Sequence, residues 1–368
     1  MKEKKSSDFF PVTDPAVMTS RLTALWAFNE AGLGGIMHAI KSPFTGIFVG
    51  GIAVILIALL AYFSDKKAIT ILKATAIVLI VKAIVSPHSP LFAYFAVGFQ
   101  GLAGAFIFGN LNSFRPAALI LGVVALSESA LQKILTLTLI YGTSLWESID
   151  LFLNYVLQAL RLSGPAEGFP GSTLLIFLYT GMYVLSGLVI GYLAGVIPSE
   201  LTGTRPQQDA EVLRQLSVLS QNHFSVPLRQ RPFWKKGIFQ IMVVLLGIII
   251  VFTLINPELK GTSRAVYVLI RTCIAIAVWY LVAAPLLTRL LSFILNKKRK
   301  VYFAEVEQIL AILPQLRRAA AILWKSAMHL PLIKRLKYFL LSLIYYTLTF
   351  EPTGEEKQKN MQVINKSR

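Results

Sequence analysis

Seven polar or ionisable residues interrupt apolar stretches of the chain, and they are the first candidates for chemistry. They are Asn29, Glu30, Lys82, Gln100, Glu128, Gln132 and Lys133. Such side chains are costly inside a membrane and often line substrate or ion paths there. On the helices predicted below they fall in the middle or outer half of the bilayer. We therefore expect a substrate pocket that opens to the outside. Two lysines near its mouth suit an anionic or carboxylate-bearing substrate, with Glu128 below them to accept a hydrogen bond.

The same residues also have a purely structural explanation. Two acids and two lysines can neutralise one another as ion pairs that hold a helix bundle together. The sequence leaves both explanations open.

Motifs for other chemistry are missing from the sequence. It contains no phosphate-binding G-x-x-x-x-G-K-[ST] loop, no G-x-S-x-G and no H-E-x-x-H. The four histidines have no ligand spacing, and the single cysteine, Cys273, allows neither an internal disulfide nor a cysteine metal site. We therefore predict no catalytic residue, no metal, no cofactor and no enzymatic activity.

The composition is that of a membrane protein. Of 368 residues, 55% are hydrophobic and 15% are charged, and the mean hydropathy is +0.64. The apolar residues form runs of about 20, the length that crosses a bilayer. This excludes an ordinary soluble enzyme, a disordered chain and a disulfide scaffold. The net charge of +18 is better explained by the collection of Lys and Arg in cytoplasmic segments than by a nucleic-acid partner.

The fold class predicted is all-α, a polytopic membrane protein with eight transmembrane helices. The predicted spans are 22–40, 43–63, 68–85, 90–109, 116–141, 172–198, 236–256 and 265–292. With the N-terminus inside, the basic segments around Lys66, Arg115, Arg229 and Lys298 all fall on the inner side. By the positive-inside rule, both termini are cytoplasmic, and the expected location is a bacterial inner membrane.

The predicted domain organisation follows these spans. It consists of a cytoplasmic N-terminal tail at 1–21, a six-span module at 22–200, a cytoplasmic linker at 201–235, a two-span hairpin at 236–292, basic amphipathic cytoplasmic helices at 297–352 and a disordered tail at 353–368. In the outer loop between spans five and six, polar residues from Glu147 to Arg161 recur every three or four positions. This spacing predicts an amphipathic helix that packs flat on other helices or covers a cavity.

The C-terminal region predicts an interaction surface. Between 302 and 350, basic residues alternate with apolar runs. Pro314 and Pro331 should divide the region into about three helices. Its positive charge suits either anionic membrane lipid or a cytoplasmic partner, with Arg317 and Arg318 as the partner-binding candidates.

Span one carries a ladder of small residues. Every fourth position is small, at Ala27, Ala31, Gly35 and Ala39. Small residues at this spacing let another helix approach closely. The ladder can serve packing within the chain, or it can be a docking face for another membrane subunit.

The six-span module resembles the substrate-binding S component of energy-coupling factor transporters. The resemblance is carried by six predicted spans between 22 and 200, by the small-residue ladder of span one, and by the Ser86–Pro90 segment, which leads into a Gly- and Ala-rich fourth span. It implies that the ladder contacts a transmembrane coupling subunit and that the outer loops close over a vitamin-like substrate. The basic C-terminal helices loosely resemble the coupling helices of the T subunit, which implies separate cytoplasmic ATPases.

The expected function is therefore that of a membrane transporter subunit. It would bind a small micronutrient from the outside and import it with partner ATPases. Two other classes remain open: a membrane scaffold that only recruits partners, and an intramembrane enzyme that acts on lipid. A cavity filled by its own side chains would favour the scaffold. A polar cavity that opens sideways or inward, with an acid–base pair in contact, would favour the enzyme.

Overall fold

The computed structural model describes residues 14–39, 42–86, 89, 91–160, 170–203, 212, 216 and 301–349. Regular structure in these residues is helical throughout, as the sequence predicts. The chain forms two compact units, each described by itself below. The first contains the described residues up to Ser129, those from Tyr183 to 216, and those of 301–349. The second contains the described residues between Ala130 and Met182.

Helix α1, Pro15–Phe28, begins before the predicted start of span one at 22. The Asp14 side chain explains the start, because its Oδ1 accepts a hydrogen bond from the Ala16 backbone N–H at 2.9 Å. Pro15 occupies the first turn, where the missing N–H costs nothing. Part of the predicted tail at 1–21 is therefore helical.

Two segments of π-helix lie on either side of the connection between the first two predicted spans. The first, π1, spans Asn29–Leu33 and continues α1 into α2, Gly34–Ala39. The second, π2, spans Gly46–Gly50 and leads into α3, Gly51–Tyr62. Single-turn π segments inside helices are rare, and they occur often at functional sites.

Helices α3, α4 (Lys67–Val85) and α5 (Leu91–Asn110) pack closely in the first unit. From Ala53 to Ala61 every residue of α3 is buried. Glycines on α5 make the close approach possible. A methyl group added at Gly101 would overlap the Thr75 side chain of α4, and one added at Gly104 would lie 2.5 Å from Ile57 Cγ2 of α3.

Helices α6 (Phe114–Tyr141) and α8 (Gly171–Gly203) cross backbone to backbone at glycines in the first unit. A Cβ at Gly187 would lie 2.7 Å from the Gly122 carbonyl oxygen, and one at Gly191 would lie 2.7 Å from Leu119 Cα. Gly195 continues the same face, 3.4 Å from Arg115 Cα. Glycines at every fourth residue leave α8 a flat face on which α6 lies.

The second unit contains the predicted amphipathic helix, α7, at Ser144–Ala159. The Asp150 carboxylate accepts hydrogen bonds from the Ser172 backbone N–H at 2.6 Å and from the Ser172 hydroxyl at 3.0 Å. It thus lies at the N-terminus of α8, where unpaired N–H groups and the helix dipole favour an anion. α7 is therefore held against the start of α8 through a polar residue of its predicted polar face.

The C-terminal region forms two helices, α9 (Phe303–Ser326) and α10 (Leu332–Thr349), joined by a 3₁₀ turn at Ala327–His329. α9 continues through Pro314, which corrects the predicted break there, whereas the chain does break at Pro331. A proline inside a helix costs about 3 kcal/mol. Burial of Ile309 and Leu316 on either side of Pro314, with α9 packed on α1 and α4, offsets that cost.

Four described helices are long and apolar enough to cross a membrane: Lys67–Val85, Phe92–Asn110, Phe114–Tyr141 and Gly171–Leu201. They coincide with predicted spans three to six. Their outward faces are also apolar, as on α5, where Phe95, Leu102 and Phe106 are 58%, 62% and 72% exposed. A helix that is apolar on both its buried and its exposed side suits lipid rather than water.

The remaining predicted spans differ in how far the structure describes them. The second corresponds to a shorter apolar helix, Gly46–Tyr62. The first corresponds to α1, π1 and α2. The spans at 236–256 and 265–292, and the tail at 353–368, lie outside the described residues.

Candidate functional site: a buried polar cluster

The centre of the candidate site is an ion pair between π1 and α4. Lys82 Nζ lies 2.6 Å from Glu30 Oε2, and the two side chains are 1% and 4% exposed. The sequence analysis left open whether the membrane acids and lysines pair with one another, and for these two residues they do. Removing one partner of a buried pair strands the other charge, which is strongly destabilising.

Tyr94 of α5 completes the surroundings of the lysine. Lys82 Nζ lies 5.9 Å from the Tyr94 ring centroid, within the range of a cation–π contact. The Tyr94 hydroxyl donates to the backbone carbonyl of Ser86 at 3.1 Å, just beyond the end of α4. The ion pair therefore fastens α1 to α4, and Tyr94 fastens α5 to the same end of α4.

Asn29 joins the two π segments. Its side-chain Nδ2 donates to the backbone carbonyl of Val49 in π2 at 2.9 Å, and the residue is buried. The hydrogen bond fixes the amide orientation, because only the NH₂ group can donate to a carbonyl. Asn29 Oδ1 consequently points elsewhere, and it has no hydrogen-bond partner among the described residues.

Gln100 of α5 reaches the same segment. A Cβ at Gly50 would lie 2.9 Å from Gln100 Nε2, which places the amide of Gln100 directly against π2. Gln100 is 2% exposed. Its Oε1 also has no partner within the described part of the chain.

Glu128 of α6 contributes a carboxylate to the first unit. Both of its oxygens are buried, and neither has a hydrogen-bond partner among the described residues. The next residue, Ser129, lies beside π2, with its hydroxyl 3.1 Å from a Cβ built at Gly46. Asn29, Glu30, Lys82, Gln100 and Glu128 are therefore five of the seven predicted site residues within the first unit, and we call them the polar cluster.

The other two predicted site residues lie in the second unit. Lys133 is exposed, and Gln132 is half-buried, with its backbone carbonyl accepting a hydrogen bond from the Thr136 hydroxyl at 2.7 Å. Lys82 is neutralised by Glu30, and the role of Lys133 in receiving an anionic substrate stays a prediction.

The small-residue ladder begins inside the protein. Ala27 is fully buried, whereas Ala31 and Gly35 are half-buried, and the side chain of Ala39 lies outside the described residues. π1 falls between the first and third positions of the ladder. Because a π turn contains more residues than an α turn, positions four apart do not stay on one straight stripe. Ala27 therefore serves packing within the chain, and the docking role stays a prediction for Ala31 and Gly35.

The predicted partner-binding residues of the tail lie on the surface. Arg317 and Arg318 are both exposed on α9. The opposite face of α9 packs on α1 and α4, the two helices that position Glu30 and Lys82. Lys73 Nζ of α4 lies 2.9 Å from Glu305 Oε1 of α9. α9 therefore contacts both supports of the ion pair.

Sequence reasoning overlooked several features that position the site. The Gly187–Gly191–Gly195 ladder has the same four-residue spacing as the ladder of span one, so the pattern was visible in the sequence. The Val49 carbonyl and the two π segments had no such signal. Every residue has a backbone carbonyl, so the sequence does not show which one will accept a hydrogen bond. No sequence motif marks a π turn either.

Comparisons of the chain with protein-family models, with curated proteins and with solved structures found no match. The class of the protein therefore follows from the fold and the cluster. It is a helical protein with apolar helices of membrane-spanning length, and these helices enclose a set of buried polar and charged side chains.

Proposed function

We propose that the protein is a transporter subunit of a membrane, which binds a small micronutrient inside its helix bundle and imports it with separate ATPase subunits. The observation that carries the proposal is the buried ion pair between Lys82 and Glu30, in a unit that also contains amide and carboxyl oxygens without a partner among the described residues. Ionisable groups are placed inside membrane helices mainly where they contact substrates or ions. Unpaired buried acceptors are costly unless a ligand pairs with them.

In this proposal, the tail helices couple the ATPase partner to the helices that hold the ion pair. α9 and α10 pack on α1, and α9 also packs on α4, so a partner that moves the tail would act on both helices of the ion pair. The exposed Arg317 and Arg318 offer charged contacts to such a partner. In the topology predicted from the basic segments, this end of the bundle faces the cytoplasm, where ATP is available.

The test is to identify a small molecule that the purified protein carries. The full-length protein, purified in mild detergent from cells grown in rich medium, is denatured, and the released molecules are identified by mass spectrometry. We expect one polar molecule to be enriched with the wild type and with Glu307→Gln, an exposed carboxylate on α9, and to be lost with Gln100→Met. A folded wild-type protein that releases nothing above background, and that takes up no labelled micronutrient when reconstituted with its partners, would contradict the proposal.

A scaffold without transport is the second candidate, because the cluster is closed by its own side chains. Asn29, Glu30, Lys82 and Gln100 are each at most 4% exposed. A scaffold would recruit partners through α9 and carry no small molecule. Partner co-purification together with an empty mass spectrum would favour it.

A further inference from the structure

The polar cluster contains acceptor oxygens that no donor of the described residues satisfies. Asn29 Oδ1, Gln100 Oε1 and both oxygens of Glu128 are buried, and none has a hydrogen-bond partner among the described residues. Asn29 and Gln100 are 4% and 2% exposed, so bulk water does not replace the missing partners. Each unpaired buried acceptor costs about 1–3 kcal/mol. Several of them together indicate a pairing group that is not among the described residues.

The side chains of Asn29, Gln100 and Ser129, the residue after Glu128, lie beside π2. Asn29 is anchored on the Val49 carbonyl. Gln100 Nε2 and Ser129 Oγ both approach the Cβ position of Gly50, at 2.9 and 3.9 Å. The side chains therefore surround one turn of π-helix at Val49–Gly50.

The register of α5 and α6 brings Glu128 to a similar height. A Cβ at Gly104 would lie 3.6 Å from Leu121 Cδ2, and the short connection between these helices makes them antiparallel neighbours. Gln100 lies one turn before Gly104, and Glu128 lies two turns after Leu121 on the same face. With a rise of about 1.5 Å per residue, Glu128 is thus within about one turn of Gln100 along the bundle.

The charge balance determines which ligand suits the cluster. Glu30 and Lys82 neutralise each other at 2.6 Å, so the carboxylate of Glu128 is the charge left without a counterion among the described cluster residues. The site thus consists of two neutral amide oxygens and one carboxylate, with a net charge of −1. A monovalent cation neutralises this charge. Calcium takes six to eight oxygens and usually several carboxylates. The described residues contain no group of three or more His, Cys, Asp or Glu placed to hold a metal ion together.

We infer that Asn29, Gln100 and Glu128 form a binding site for a dehydrated monovalent cation, with sodium as the probe. Glu128 supplies the charge, and the two amides supply neutral oxygens whose positions π1 and π2 determine. Interrupted helices serve a comparable purpose in some transporters, where unwound backbone carbonyls coordinate sodium. The inference rests on the proposed function only in taking the cluster as a ligand site, because cation binding can be measured without transport.

The test measures binding of ²²Na⁺ to the full-length protein in detergent, with N-methyl-D-glucamine chloride keeping the ionic strength constant. We expect saturable binding that excess unlabelled sodium displaces, and a melting temperature that rises with sodium and then levels off. Glu128→Gln keeps the shape and removes the charge, so its apparent Kd should increase at least tenfold. Glu307→Gln should bind as the wild type does.

Further outcomes keep the inference falsifiable. Gln100→Met removes a neutral ligand without touching the carboxylate, so it replaces Glu128→Gln if that variant does not fold, and it should weaken sodium binding as well. Tighter binding of potassium or lithium would support the site and only change its preferred ion. No monovalent binding, a response to calcium or magnesium alone, or a melting temperature that depends on pH but not on sodium would overturn the inference. Release of a bound micronutrient in that case would still leave the proposed function standing.

Discussion

Arg21 donates through Nη1 to the backbone carbonyl of Leu348 at 2.6 Å, which ties α1 to α10, the last described helix. The same α1 leads into π1, where Glu30 meets Lys82. Lys73, on the helix of Lys82, pairs with Glu305 of α9. The tail helices are therefore fastened to both helices of the buried ion pair.

Replacing one residue of the ion pair should lower the free energy of unfolding far more than replacing both. Lys82→Met leaves the Glu30 carboxylate buried without a counterion, which should reduce the free energy of unfolding by about 3–5 kcal/mol. The double variant Lys82→Met with Glu30→Gln should recover most of that loss. Thermal unfolding in detergent of the wild type, both single variants and the double variant gives the coupling energy directly.

Lys133→Met is the matched control for this series, because Lys133 is an exposed lysine on a membrane-length helix. Its stability should stay within about 0.5 kcal/mol of the wild type. Equal losses for Lys82→Met and the double variant would show that the pair does not act as a unit.

The glycine crossing of α6 and α8 should tolerate no side chain. Gly191→Ala places a methyl group 2.7 Å from Leu119 Cα and 2.9 Å from the Ala118 carbonyl oxygen. The helices must then separate, which should cost about 1–3 kcal/mol of stability.

Gly181→Ala, on the same helix, provides the contrast. No atom of the described residues lies within 4 Å of its Cβ position, and alanine is favoured over glycine in a helix by about 0.5–1 kcal/mol. This variant should melt at or above the temperature of the wild type. A Gly191→Ala protein as stable as the Gly181→Ala protein would disprove the close crossing.

The exposed arginines of α9 should be required for a partner and not for folding. Arg317→Glu with Arg318→Glu reverses two surface charges while the packed face of α9 stays intact. We expect loss of partner co-purification with unchanged membrane insertion and melting temperature. If lysines relocated elsewhere on the tail restore the association equally well, general attraction to anionic lipid explains the region instead.

Alkaline pH should loosen the contact of α10 with α1 and α9. Tyr346 borders a small recess with Arg21 and Gln315, and burial raises the pKa of its phenol from 10.0 to about 12. The folded state therefore favours the protonated phenol. Its contribution to stability is complete below pH 10, where the unfolded chain titrates, and is lost as the pH rises toward 12.

Tyr346→Phe should remove this part of the alkaline loss of stability. Melting temperatures of the wild type and the variant, measured between pH 8 and about 12, should differ in slope only above pH 10. Parallel curves over the whole range would show that Tyr346 is not responsible.

Hydropathy and composition were sufficient to predict the helical membrane class and the positions of α4, α5, α6 and α8. These features depend on local sequence, because about 20 consecutive apolar residues must form a helix wherever they meet a bilayer. The spacing of polar residues likewise predicted α7. The identity of the polar cluster was also visible in the sequence, since Asn29, Glu30, Lys82, Gln100 and Glu128 stand out in apolar surroundings.

The arrangement of these residues depended on the tertiary structure. That Lys82 pairs with Glu30, and that Lys133 is exposed, follows from the rotation and register of helices far apart in sequence. Pro314 did not end α9, because packing on α1 and α4 outweighed a local preference. Asn29, Glu30, Lys82 and Gln100 are buried, and Glu128 has no counterion among the described residues, for the same reason. Burial and charge balance are properties of several packed helices together, and no single stretch of sequence encodes them.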